Sequence, residues 1–382
     1  MGFITQAFRI GPKLIGYKLA KVKLAKAPMP INFTFSITHA CQSLCKTCNI
    51  GLVHRKHPEK VKNELKIDEI EKVFRSIGKN KVYFFNISGG EPFLRPDIDK
   101  IIELAIKYLR PAIIHTPTNA LTPALIEKKV RKIMEIIEKE SPQTHFTIKP
   151  SYDAVGKKHD VIRGVEGNWE KLMDTITRLK EVRKDHPNLY VGIGTVISNF
   201  SIVHLKETVE FSKTLGVDSY ISEVAEQRAE MTNVTDPITP SWKKYEEAIE
   251  FFKNESRQQM KSKPLLSRVT LSMRLVYYDL CIQILKQKTQ VIPCYGGISN
   301  AHMNAYGDMW PCAILAYSKN MGNVRDFDYD FKKIWNKNVK TKEIRKYIHD
   351  KKCHCPLANQ TYSNILLDPK SLLKSIKNMI FG

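Results

Sequence analysis

The chain is 382 residues long, and its Lys and Arg outnumber Asp and Glu 61 to 39, a net charge of +22. Such a field favours anionic partners, whether phosphate-rich ligands, nucleic acid or an anionic membrane surface. An apolar content of 42% and a charged content of 26% exclude a disordered chain, and no stretch is long and apolar enough to span a bilayer.

Residues 1–28 carry Arg9, Lys13, Lys18, Lys21, Lys23 and Lys26 and no acid, interleaved with Phe8, Leu14, Ile15, Leu19 and Val22. This reads as a basic amphipathic segment, suited to lie in a membrane interface or to pack over the open side of a barrel. No uncharged run precedes a small-residue cleavage site, so a secretory signal is not expected. The protein is expected in the cytoplasm, with peripheral contact to an anionic membrane if the termini supply it.

From Ile31 to about Glu223, β-rich runs alternate with amphipathic patterns. Strands are predicted over Ile31–Thr38, Val82–Ser88, Ala112–Thr116, Thr144–Ser151, Leu189–Ile197 and Val217–Ser222, and helices near 68–79, 97–109, 122–139, 168–185 and 201–215. The alternation predicts an α/β fold of right-handed βαβ units on a parallel sheet. Six strands fall short of a full eight-stranded barrel, so a partial (β/α)6 TIM-like barrel or an open sheet is expected, with ligands at the carboxyl ends of the strands.

This core spans 29–230. Thr232–Pro240, rich in Thr, Asp and Pro, reads as a linker, and helices over Pro240–Asn254 and Ser267–Lys288 complete a region of 231–290. Residues 291–365 form a small Gly-, Cys- and Asn-rich domain with short strands around Tyr306-Gly307-Asp308. The tail, 366–382, sets Leu372, Leu373, Ile376, Met379 and Ile380 on one helical face beside Lys374 and Lys377.

Seven of the eight cysteines fall in two tight sets, which in a large chain without an export signal favours metal ligation over disulfides. Cys41, Cys45 and Cys48 follow the first strand. Three thiolates there can hold three irons of a cubane cluster and leave the fourth open to a small molecule. Structural zinc wants four closed ligands, and no fourth lies near. In the second set twelve residues separate Cys294 from Gly307 and four more separate Gly307 from Cys312, with Cys353 and Cys355 downstream. A turn at Gly307 folds Cys312 back toward Cys294. The four thiols suit one fully ligated cluster, or a structural zinc. Cys281, in an apolar helical pattern, is expected in the core.

Cys41-Gln-Ser-Leu-Cys45-Lys-Thr-Cys48 resembles the CxxxCxxC signature of the radical S-adenosylmethionine (SAM) superfamily, and further motifs follow in order. Gly89-Gly90-Glu91-Pro92 is similar to the family's GGEP segment, which implies a seat for the SAM amino group. Thr118-Asn119-Ala120 resembles its TNG segment, implying that Asn119 reaches the ribose; Ala120 departs from the usual Gly. Ser151-Tyr-Asp153 and His159-Asp160-Val-Ile-Arg163-Gly164 resemble its "SxD … HDxxRG" pattern, which implies that Ser151 and Arg163 bind the SAM carboxylate. His159 and Asp160 are equally a structural turn. Gly192-Ile-Gly194-Thr195-Val-Ile197 resembles the fifth-strand segment that packs on adenine, with Thr195 and Ile197 as contacts. Thr47 departs from the aromatic residue many members carry.

The spacing of the second set resembles the SPASM and twitch auxiliary-cluster domains. Too few cysteines are present for two auxiliary clusters, and Asn359 stands where similar proteins often carry another Cys. One auxiliary [4Fe–4S] cluster acting as an electron relay is therefore implied. The resemblance further implies a [4Fe–4S] cluster that binds SAM, reductive cleavage of SAM to a 5′-deoxyadenosyl radical, hydrogen abstraction from an unactivated C–H bond, and a reductase or flavodoxin/ferredoxin-type electron donor.

Glu223, Glu226, Gln227 and Arg228, after the sixth strand, are candidates for substrate contact or proton transfer, or alternatively for a surface ion-pair cluster. Three substrate classes compete. A membrane lipid or isoprenoid ranks first, on the basic termini. A peptide or protein ranks second, since only 40 residues precede Cys41. A nucleic-acid-binding iron–sulfur protein ranks last, because no aromatic-and-basic RNA module is apparent and the SAM motifs have no role in it.

Overall fold

The computed structural model describes residues 3–262 and 268–381, with side chains from residue 10 onward. Phe8, Arg9 and the predicted helix start at Ser267 lie outside the described side chains or residues. Six parallel strands, β1 (Asn32–Thr38), β2 (Phe84–Gly89), β3 (Ile113–Thr118), β4 (His145–Pro150), β5 (Leu189–Ile197) and β6 (Ser219–Val224), pair in sequence order. β7 (Asn300–Met303) pairs parallel to the other edge of β1, and β8 (Asp308–Trp310) and β9 (Gly322–Asn323) continue antiparallel. The sheet order is therefore β6-β5-β4-β3-β2-β1-β7-β8-β9.

The helices are α1 (Phe3–Lys21), α2 (Ile50–Lys56), α3 (Ile67–Ile77), α4 (Ile98–Tyr108), α5 (Pro123–Glu140), α6 (Lys157–Arg163), α7 (Asn168–Asp185), α8 (Leu205–Ser212), α9 (Trp242–Lys261), α10 (Val269–Gln287), α11 (Phe331–Asn336), α12 (Val339–His349), α13 (Ala358–Leu367) and α14 (Pro369–Phe381). Each predicted strand and helix has its counterpart, with ends shifted by a few residues. The segment predicted as one helix over 201–215 is a 3₁₀ turn, Ile202–His204, running into α8. The helix predicted over Pro240–Asn254 runs on to Lys261 and starts where the Ser241 side chain accepts from the Lys244 amide.

Strand alternation explains the layers. In β1 Phe33, Phe35 and Ile37 are fully buried; the Phe33 ring meets Phe74 of α3, Phe85 of β2 and Phe331 of α11 at centroid separations of 6.4, 5.8 and 5.6 Å. The opposite parity carries Asn32, Thr34, Ser36 and Thr38, followed across the sheet by Asn86 and Ser88, His115, Thr147 and Lys149, then Glu223. Parallel sheets covered on both sides are ordinarily apolar on both faces. A polar inner face marks a lumen built to hold a ligand.

Two predicted boundaries change. Thr232–Pro240 is no loose linker: Asn233 is fully buried and donates to the Thr47 carbonyl at 2.7 Å, Asn49 donates to the Thr232 carbonyl at 2.8 Å, and Asn199 donates to the Pro237 carbonyl at 2.7 Å. Asn side chains supply the backbone partners that regular structure would give, so polar composition here reflects a pinned strap. Nor does a break in pairing separate the region after 290 from the barrel, since β7 joins the ladder of β1.

The termini dock by one face and expose the other. Tyr17 is buried with its hydroxyl on the Met29 carbonyl, while Ile15, Leu19, Val22 and Leu24 are exposed. α14 lays Ser371 and Ser375 on α10 and pairs Lys374 with Asp279 at 2.6 Å; Leu373, Ile376 and Ile380 face outward.

Glu69 of α3 accepts from Arg325 at 2.8 and 3.1 Å and from Tyr329 at 2.7 Å, tying the barrel to the carboxyl-terminal region. The hydrogen bonds from Arg325 hold its carboxyl at about 2, below the usual 4.5. The stabilisation is thus present above 4.5 and lost as pH falls toward 2. Arg325→Met is expected to cost about 1 kcal/mol near neutrality and progressively less in acid. Urea midpoints at pH 7 and at about pH 3 check this; an equal cost at both would remove the role of the ion pair.

Candidate active site

The loop from Cys41 to Cys48 leaves β1 and lies against bare backbone on several sides. A Cβ on Gly90 would sit 2.2 Å from the Ala40 carbonyl oxygen, one on Gly89 2.2 Å from that of Thr38, and one on Gly164 2.1 Å from that of Leu44. Gly51, at the start of α2, meets the Ser43 oxygen in the same way at 1.8 Å. The amides of Gly90 and Glu91 donate to the Thr38 and Ala40 carbonyls at 2.8 and 2.7 Å, and the Lys46 amide donates to Ile162 at 2.9 Å. Only glycine permits approaches this close. Gly51 and Gly164 were not assigned a role from sequence.

Glu91 is a brace. Its buried carboxylate accepts from the Thr118 hydroxyl at 2.9 Å, the Asn119 amide at 2.6 Å and the Phe93 amide at 3.1 Å. Burial still pushes it up to about 7. Asn119, expected on the ribose, spends its side chain inside the protein: Nδ2 donates to Ser43 Oγ at 3.0 Å and Oδ1 accepts from the Leu121 amide at 3.1 Å. Pro92 opens the 3₁₀ turn that follows. These residues therefore join β2 and β3 to the cysteine loop.

Arg163, at the end of α6, pairs with Asp153 at 3.2 Å, leaves its Nε unpartnered and acts electrostatically on Cys41 and Cys45. Ser151 faces the lumen at the end of β4, bridged to Gly194. Asp160 accepts from the Gly167 and Trp169 amides, a turn with a structural role. Burial, then the neighbouring Cys45, pushes the Cys41 thiol up to about 11, and Cys48 rises to about 12. Three half-buried thiols within the influence of one guanidinium suit a polycation that replaces their protons. Among the described residues no three Cys, His, Asp or Glu side chains close on one ion-sized point. Three thiols on one loop can each take one iron of a cubane, whereas structural zinc takes four protein ligands.

Thr195 and Ile197 require correction as cofactor contacts. They share the outward parity of β5: the Thr195 hydroxyl bonds the Tyr152 carbonyl and Tyr220 hydroxyl, and Ile197 sits in the outer core. The lumen side of this strand is Gly192, Gly194 and Val196. Glu223 lies within β6, opposite Val196, not after it. Glu226 is 7% exposed, pushed up to about 7 by burial; Oε2 accepts from Arg228 at 3.1 Å and Oε1 has no partner. Gln227 is exposed and bonds the Asp236 carbonyl, so it is no part of the cavity. Sequence reasoning missed Glu230, which accepts from Ser36 at 2.7 Å and pairs with His302 at 3.1 Å. Alternation in β1 and β7 placed Ser36 and His302 on that face.

The second set gathers as its spacing predicts. Gly307 adopts φ +92° between β7 and β8, and Cys294, Cys312, Cys353 and Cys355 line one cavity with Gln290, Gln360 and Asn364. The Gly296 amide donates to Cys294 Sγ at 3.4 Å. Lys21, at the end of α1, donates to the Cys294 carbonyl at 2.6 Å and acts on the Cys294 and Cys353 thiols. Its basic neighbours gave no sign of this. Cys281 is fully buried in the core.

Gly164→Ala is expected to lift the loop from its seat and lower iron retained at the first cysteine set after anaerobic reconstitution. Gly11→Ala, where a Cβ meets nothing within 4 Å, should leave iron unchanged. Equal retention in both would show that the close approach is not required.

Residues 35–212 match the radical SAM superfamily and residues 294–356 match the SPASM iron–sulfur cluster-binding domain. The chain is 19% identical over 326 residues to the antilisterial bacteriocin subtilosin biosynthesis protein AlbA of Bacillus subtilis, covering 85% of this chain but only 64% of AlbA. It is 23% identical over 313 residues to the AdoMet-dependent heme synthase of Methanosarcina barkeri, covering 78% of this chain and 82% of that protein. The structure of Streptococcus suis SuiB bound to precursor peptide SuiA has the same fold, with TM-score 0.60 at 17% identity over 90% of this chain and 72% of SuiB. The barrel with its thiol triple is thus a radical SAM domain and the carboxyl-terminal thiol set lies in a SPASM domain, the two domains of a SAM-dependent iron–sulfur enzyme.

Proposed function

We propose that this enzyme modifies a peptide or protein by hydrogen abstraction at an unactivated C–H bond. The observation that carries the reading is the alignment with AlbA, a bacteriocin biosynthesis protein, along 85% of this chain. The fold shared with peptide-bound SuiB supports it. This reverses the order set by charge alone, in which a lipid came first. A cleft of about 550 Å³ bordered by His39, His54, His57, Tyr306 and Tyr317 lies past the carboxyl end of β1.

In this reading Cys41, Cys45 and Cys48 hold the cluster that binds SAM, and Cys294, Cys312, Cys353 and Cys355 hold one auxiliary cluster. When bound, the reduced cluster and SAM supply a 5′-deoxyadenosyl radical. Arg163 and Ser151 orient the SAM carboxylate, Arg163 with the nitrogen that Asp153 leaves free. Glu226 is the carboxylate with a free oxygen near both Cys355 and Glu223, and it takes a proton from substrate. An electron donor of flavodoxin, ferredoxin or reductase type completes the system.

A second reading is favoured by the exposed Leu373, Ile376 and Ile380 beside Lys370, Lys374 and Lys377: the termini rest on an anionic membrane while the lumen works. Flotation with phosphatidylglycerol vesicles should carry the full chain, and Leu373→Ser with Ile376→Ser should reduce it. Failure of the full chain to float removes that reading.

Anaerobic reconstitution is expected to give about eight irons per chain, falling by about four when Cys41, Cys45 and Cys48 become Ala, with 5′-deoxyadenosine formation lost. With Glu226 near 7 and active when ionised, turnover of a peptide substrate should rise as pH passes through 7. Glu226→Gln should abolish that rise while SAM is still cleaved. A retained rise in the variant would reassign the proton acceptor.

A further inference from the structure

Lys149 stands near the carboxyl end of β4. Its neighbours Ile148 and Pro150 are buried in the opposite layer, so alternation turns Lys149 into the lumen. The stem crosses β5 where that strand is bare: a Cβ on Gly194 would lie 2.9 Å from Lys149 Cδ. Its ammonium appears in no hydrogen bond and no ion pair within 4 Å among the described residues. Burial brings it from the usual 10.5 down to about 8; Glu223 opposes that shift from a distance and Arg274 adds to it.

Arg274 comes from α10, on the open side of β6. It is 6% exposed, gives one nitrogen to the Tyr220 carbonyl at 2.7 Å and leaves Nε buried without a partner. His115, on the strand beside β4, has an unpartnered Nε2, and its burial together with Lys149 holds it neutral. A lumen-facing ammonium and a buried guanidinium nitrogen with no protein acceptor keep bonding capacity that a ligand can complete. Glu223 and Glu226 nearby already oppose negative charge, so a monoanion fits better than a dianionic phosphate.

We propose that Lys149, with Arg274 adding positive charge from α10, forms a subsite for a carboxylate of the substrate inside the barrel. The inference rests on the reading that the lumen holds the substrate. It adds that the substrate is acidic near the reacting position, through a side-chain carboxylate of Asp or Glu. A free peptide carboxyl terminus has the same chemistry and is separated from it by the test.

The test is protection of Lys149 from reductive methylation in SAM-loaded, reconstituted enzyme, read by peptide mass spectrometry, with surface lysines as internal controls. The probes are the methylamide of N-acetylglutamate, which has a free side-chain carboxylate; N-acetylglycine, which has a terminal one; and the neutral methylamide of N-acetylglutamine. The expected result is slower methylation of Lys149 with the glutamate probe and no change with the glutamine probe. N-acetylglycine acting as well as the glutamate probe would assign the subsite to a chain terminus. Arg274→Met should weaken the glutamate probe about tenfold, and Arg274→Lys should restore part of it.

Full protection by SAM alone would give Lys149 to the cofactor and overturn the proposal. So would equal protection by the neutral probe, or none by either acid. Because the probes are small molecules, the result stands apart from whether the natural substrate is a peptide. A fully active peptide-modifying enzyme with unprotected Lys149 would sink this inference and leave that reading intact.

Discussion

The carbonyl oxygens of Thr38, Ala40, Ser43 and Leu44 lie within about 2 Å of where the Cβ atoms of Gly89, Gly90, Gly51 and Gly164 would stand. Three separate parts of the chain, the end of β2, the start of α2 and the end of α6, must therefore reach the cysteine loop at the same time, each with bare backbone. Parallel pairing of β1 with β2 sets the height of the first contact, and the bracing of Glu91 by Thr118 and Asn119 carries β3 into it. A side chain at any of these glycines would displace main-chain atoms rather than a flexible group, which a close-packed interior accommodates poorly.

The inner face of the sheet answers a different demand. Asn32 with Asn86, and Ser36 with Glu230 and His302, satisfy one another, so the side toward β1 and β7 is a closed hydrogen-bonded wall. Toward β4 and β6 lie groups with bonding capacity left over: Lys149 on β4, Glu226 and Arg228 just after β6, and Arg274 on α10. Polarity alone does not distinguish the two halves. Completed networks fix structure, whereas incomplete ones are where a ligand can supply the missing partner.

The fold was legible because period-two and helical patterns each had one dominant cause, burial against the outer layer. Cys41, Cys45 and Cys48, with the second thiol set, were legible because thiols at short spacing have few other uses. Thr195 and Ile197 were misplaced because a motif names neighbouring positions while the pleat assigns them to opposite faces. Gln227 was misplaced because it lies beyond the strand, where alternation no longer applies. Thr232–Pro240 read as a linker because side-chain hydrogen bonds from distant Asn residues leave no periodic trace. Lys21 and Glu230 act across more than 190 positions of sequence, on Cys294 and Ser36, and no local window contains such a pair. Lys149 was within reach: a lysine at the inward parity of a strand whose other parity is Phe146 and Ile148 is a charge placed inside a barrel.

β1 delivers the first thiol set from its carboxyl end and shares its free edge with β7, which lies between Cys294 and Cys312. One unbroken ladder of main-chain hydrogen bonds therefore runs from one metal-binding region into the other. No hinge in that ladder lets them drift apart. The β1–β7 pairing therefore sets the two regions side by side through main-chain hydrogen bonds rather than through the loops and helices around them.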